Sequence, residues 1–149
     1  MGLFDKFKKD KGEEPAPYCI DSDYEYNGIA VEVDNDEESV KHIGEDFDAL
    51  QKDGVEKIIR ERFIPWFKGE EFADKDDQKI FEGLRVFAIH YHYSRIIAEY
   101  SPTNEDGFFG QFEFDFESAD DYTADMLEAT AFEVYVQDGK IVGTDGYEI

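Results

Sequence analysis

Hydrophobic and polar positions change period several times along this chain, and each change marks an element. In "CIDSDYEYNGIAVEVD" Ile29, Val31 and Val33 alternate with Ala30 and Glu32, the pattern of a strand with one buried face. Asn27-Gly28 just before them suits a two-residue turn that needs positive φ at both positions, so the segment reads as a β-hairpin. "NDEESVKHIGEDFDALQKDG" then moves to spacings of three and four. Val40, Ile43, Phe47 and Leu50 form a helical stripe, Asp36, Glu37 and Glu38 suit its positive dipole end, and Gly54 stops it. A second helix, "VEKIIRERFIPWFKG", offers Val55, Ile58, Ile59, Phe63 and Phe67, with Pro65 expected to bend or end it. "ADKDDQKIFEG" predicts a third, shorter helix with Ile80 and Phe81 facing inward.

The second half is mostly strand. "LRVFAIHYHY" and "RIIAEYS" read as a tight hairpin turning near Ser94. Simple alternation puts Leu84, Val86, Ala88, His90 and His92 on one side of that strand and Phe87, Ile89, Tyr91 and Tyr93 on the other. It is apolar on both sides and therefore reads as central. In "FFGQFEFDFES", Phe112, Phe114 and Phe116 oppose Glu113, Asp115 and Glu117, the pattern of a sheet with one dry and one wet face. Gly107 and Gly110 are expected to shape a strand start or a bulge. "SADDYTADMLEATA" predicts a helix capped by Ser118, and the last hairpin turns at Asp138-Gly139. The sum is an α+β fold: an antiparallel or mixed sheet of about five to seven strands with three or four helices on one face.

Composition sharpens this picture. With 41% apolar and 16% aromatic residues, the chain is too hydrophobic for an acidic disordered polymer, so its net charge of −23 rides on a folded body. The charge is uneven. "MGLFDKFKKDK" sets four lysines against two aspartates, and "KGEEPAPY" links it to the rest. Residues 1–17 thus read as a basic tip and linker, and 18–149 as a single acidic domain. Leu3, Phe4 and Phe7 make a short amphipathic turn, too short for stable membrane insertion. Cys19 is the single cysteine, which excludes an intrachain disulfide, and the expected location is cytoplasmic. So negative a field disfavours nucleic acid and favours a basic protein partner.

Candidate chemistry is sparse. His90 and His92, two apart in a strand, share a face and could hold a metal if Glu113, Asp115 or Glu117 supplied a third ligand. The expectation is that they are structural, with no metal or cofactor; a metal-dependent hydrolase using both is the alternative. Asp34, Asp36, Glu38 and Glu45 echo a calcium loop, but Ser39 stands where its glycine belongs. None of the five serines lies in a nucleophile elbow, and acidic surroundings make Cys19 a poor thiolate. The strip Glu113, Asp115, Glu117, Asp120 and Asp121 is the candidate docking surface for a cationic partner. Trp66 reads as a core residue.

The aromatic strand "FGQFEFDFES", the "VYVQDGKIVG" hairpin and the acidic helix resemble, over most of 18–149, small acidic bacterial α+β domains of unknown function, some of them suspected toxin-immunity proteins. The resemblance implies a non-enzymatic protein-binding role, as for an inhibitor of a basic toxin or nuclease, and transfers no site residues.

Overall fold

Two Asx-Gly turns anchor the ends of the sheet. Asn27 and Gly28 take φ of 50° and 81°, and Asp138 and Gly139 take 53° and 74°, the left-handed pair that a tight hairpin needs. The first joins β1 (Cys19–Tyr26) to β2 (Ile29–Asp34), and the second joins β5 (Thr130–Gln137) to β6 (Lys140–Glu148). Between them run β3 (Leu84–Ile96) and β4 (Gly107–Ser118). The computed structural model describes residues 18–148 except 98, 100, 102, 104, 128 and 129. The basic tip and its linker lie outside the described residues.

Among these residues six strands form one mixed sheet in sequence order, β1-β2-β3-β4-β5-β6. Every neighbouring pair is antiparallel except β2 and β3, which run parallel. A parallel pair cannot be closed by a tight turn, so the chain crosses over through its helices between these two strands. The crossover comprises α1 (Glu37–Asp53), α2 (Val55–Ile58), a π-helical turn (Ile59–Phe63), α3 (Ile64–Lys68) and α4 (Asp77–Gly83). A last short helix, α5 (Asp121–Ala124), follows β4. This is the expected α+β fold.

Helix starts follow local chemistry. The Asp36 side chain accepts from Ser39 N and caps α1, while Asp76 accepts from Gln78 N and Lys79 N and caps α4. The Asp34–Glu45 segment is therefore strand end, cap and helix rather than a calcium loop. Pro65 does not end its helix. The proline ring would clash with the carbonyl four residues back in a regular helix, and the π turn just before it widens the backbone there. The helix then continues to Lys68.

All of the helices pack on one face. Ile43, Phe47 and Leu50 of α1, Val55, Ile58, Ile59, Phe63 and Ile64 of the helical run that follows and Ile80 of α4 meet Val31, Val33, Ile89, Tyr91, Phe112, Phe114, Phe116, Phe132, Val134 and Val136 of the sheet. Phe63 stacks on Phe116 at 4.4 Å and meets Phe132 edge-on at 5.1 Å. The stripe on α1 is rotated from the expected one: Val40 is 46% exposed, whereas Ser39 and Asp46 are buried. Both polar groups are matched, Ser39 Oγ accepting from Tyr93 N at 2.9 Å and Asp46 Oδ2 accepting from the Tyr91 hydroxyl at 2.5 Å. Gly110 makes room for the second pair, because a Cβ there would lie 1.9 Å from Asp46 Oδ2. The register through Gly110 is regular, so it marks a close approach and not a bulge.

Three further expectations need correction. No turn occurs at Ser94, which pairs with Phe109 in an uninterrupted β3. The helix after β4 is capped by Asp120 rather than Ser118, and it is only four residues long. Trp66 is 42% exposed; its ring lies over Gly146 at the margin of the core.

Candidate functional site: the open face of the sheet

The face turned away from the helices is lined by acids in register. Asp21 pairs with Glu32, Glu32 with His90, His90 with Glu113, Glu113 with Glu133, and Glu133 with Asp145. One row across all six strands therefore carries five carboxylates and one imidazole. Like charges directly opposite one another on neighbouring strands destabilise a sheet, so the row opposes folding unless it is compensated.

Compensation is partial. The Tyr147 hydroxyl donates to Glu113 Oε1 at 2.6 Å, the Tyr135 hydroxyl to Glu133 Oε1 at 2.6 Å, and Gln111 Nε2 to Glu133 Oε2 at 2.9 Å. Burial nevertheless raises Glu133 above the ordinary carboxylate range, against the lowering effect of the Tyr135 bond. Asp115 sits beside the row, two residues from Glu113, and its Oδ1 is buried with no hydrogen-bond partner among the described residues. Burial, then Glu113 and Glu32, push it up to about 7. Glu117 is different: it pairs with Arg85 on β3, whose Nη2 lies 2.5 Å from its Oε2.

The proposed strip is thus divided. Glu113, Asp115 and Glu117 share the open face as their alternation implies. Asp120 and Asp121 leave it: Asp120 caps α5 by accepting from Thr123 N at 3.1 Å, and Asp121 opens that helix. Sequence reasoning missed Asp21, Glu32, Glu133 and Asp145 as members of this row. Glu133 alternates with Phe132 and Val134, a readable signal for its face, but nothing local shows that it stands opposite Glu113.

His90 and His92 do lie on this face, and a bulge decides which apolar residues accompany them. The register slips between Val86 and Ala88, so Leu84 and Val86 pack against the core while Phe87 is 43% exposed. After the slip, Ile89, Tyr91 and Tyr93 face the helices, and Ala88, His90 and His92 face outward. The expected grouping of Leu84 and Val86 with the histidines is corrected by that one extra residue. The nearest carboxylate comes from β2 rather than β4: Asp34 Oδ1 is 2.6 Å from His90 Nε2. His42 is elsewhere, stacked on Tyr93 at 3.9 Å. Cys19, on the edge strand, donates weakly to Glu32 Oε1 at 3.5 Å. Burial and the Glu32, Asp34 and Asp21 carboxylates raise its pKa, which disfavours a nucleophilic thiolate.

No protein-family model, curated protein or solved structure matches this chain.

Proposed function

We propose that this protein is a non-enzymatic binding module whose open sheet face receives a cationic protein. The observation that carries the reading is the five-carboxylate row, flanked by the unpartnered Oδ1 of Asp115. A merely solvated surface needs no carboxyl oxygen that is buried without a donor, as Oδ1 of the half-buried Asp115 is. A lysine or arginine laid between Glu113, Asp115 and Glu133 supplies the missing donor and restores Asp115 to its charged form. Tyr147, 41% exposed, stands beside Glu113 and gives such a contact an aromatic component.

Long-range charge suits the same role. A net −23 speeds encounter with a basic surface and repels phosphate backbones. A protein that inhibits a basic toxin or nuclease occupies the groove meant for nucleic acid, and cytoplasmic location belongs to this reading. Among the described residues no helix is long and apolar enough to cross a membrane.

The test starts from basic proteins encoded next to this gene, each measured against the immobilised full chain. Association should slow about tenfold between about 50 and about 300 mM NaCl. A Glu113→Gln, Asp115→Asn double variant should bind more weakly still. Salt-insensitive binding, or equal affinity of the double variant, would overturn the assignment.

A further inference from the structure

The carboxylate row is poor in nitrogen and sulfur donors, except at β1 to β3, where they gather. His90 and His92 stand on one face of an internal strand. The ligand atoms of Asp34, His90 and His92 all lie within 4.8 Å of one another. A second set shares His90: its ligand atom and those of Cys19 and Glu32 fall within the same span. Register explains the meeting, since Cys19 pairs with Asp34 and Glu32 with His90.

We propose that Asp34, His90 and His92 bind one divalent transition-metal ion of the zinc class. Around a tetrahedral ion with bonds of about 2.0–2.2 Å, donor atoms stand roughly 3.3–3.5 Å apart. To take an ion the His90–Asp34 pair, now 2.6 Å apart, opens and the wider separations close by small rotations, for which there is freedom: the His90 and Asp34 side chains are 35% and 33% exposed. The His90 and His92 rings, 6.4 Å apart and inclined at 59°, are not locked in a stack. The His90–Asp34 hydrogen bond holds two of the ligands together beforehand, and strand pairing fixes the backbone of each, His90 to Glu32 and Glu113, His92 to Gln111 and Asp34 to Cys19. Two imidazoles with a carboxylate select transition ions over calcium and magnesium, which prefer all-oxygen sites. Three protein ligands leave a further position on the open face for water or for a donor from a docked protein.

The site does not depend on the partner reading and is tested without a partner. Untagged full-length chain, stripped with chelator, is titrated calorimetrically with Zn2+ in about 150 mM salt and excess Mg2+, which saturates loose acidic binding. One ion per chain is expected. His90→Asn, His92→Asn and Asp34→Asn should each weaken it by about 100-fold or more, since removing even an outer-shell partner costs about 10–100-fold. Glu117→Gln, at the Arg85 pair, should leave it unchanged. NMR of the unmutated chain guards against misfolded variants: zinc should shift the ring signals of His90 and His92 and spare His42. Binding that Mg2+ displaces, that survives the histidine changes, or that moves no His90 and His92 signal reduces the cluster to an ion pair beside an acidic surface and overturns the proposal.

Discussion

The two faces of this sheet are built from the same strands, residue by residue in alternation, and they solve the problem of burial in opposite ways. On the covered face phenylalanines interlock, and the polar pair Tyr91–Asp46 is complete, hydroxyl to carboxylate at 2.5 Å. On the open face carboxylates stand opposite carboxylates, and Asp115 keeps a buried oxygen without a donor. Packing on the first face gives the stability that the second spends. A face that costs stability and that the described residues leave uncovered is where a ligand can return what folding gave up.

The most severe way to break the contrast is to open the covered face. Phe63→Ala removes a ring wholly enclosed by Phe116, Phe132 and Phe67, and should cost about 3–5 kcal/mol in urea unfolding. A loss below about 1 kcal/mol would mean that the core is not centred there. Next is Gly110→Ala, whose methyl group lands on Asp46 Oδ2; separating that carboxylate from Tyr91 should cost about 2–4 kcal/mol. Wild-type stability in this variant would show that the pair can shift without penalty.

Changes on the open face should act in the other direction. Asp115 titrates near 7 in the fold, above its ordinary value, so the folded chain holds that proton more tightly than the unfolded chain. The stability it confers is full below about pH 4 and is lost as pH rises through about 7. The protein should therefore melt at a higher temperature at pH 5.5 than at pH 8. Asp115→Asn should gain about 1–2 kcal/mol at pH 8, less than the whole shift implies because the face is partly solvated, and should flatten the pH profile. A destabilised variant with an unchanged profile would assign the pH response to other groups. Smallest of all is Glu117→Ala: its partner Arg85 is 61% exposed, and the change should stay within about 0.5 kcal/mol by thermal melting. A larger loss would make that pair part of the scaffold.

Local patterns carried far in this chain. Both hairpins followed from Asx-Gly dipeptides, the covered face of β4 from the alternation of Phe112, Phe114 and Phe116, and the start of α1 from its clustered acids. These are short-range properties, settled within a few residues by backbone preference and by the need to hide apolar groups. Apart from the α5 cap, a local choice between Ser118 and Asp120, the strand readings that failed depended on partners distant along the chain. The 87 bulge is invisible until β4 fixes the register, and a turn at Ser94 looks reasonable until Phe109 pairs with it.

The same division runs through the site. Sequence alone determined that negative charge dominates and that two imidazoles share a strand face, because composition and period-two geometry need no neighbour. Only the tertiary structure set Glu113 against Glu133 and brought Asp34 rather than a β4 acid to His90. Which carboxylate meets which group is a matter of strand order and register, and these are decided by packing the whole sheet against its helices.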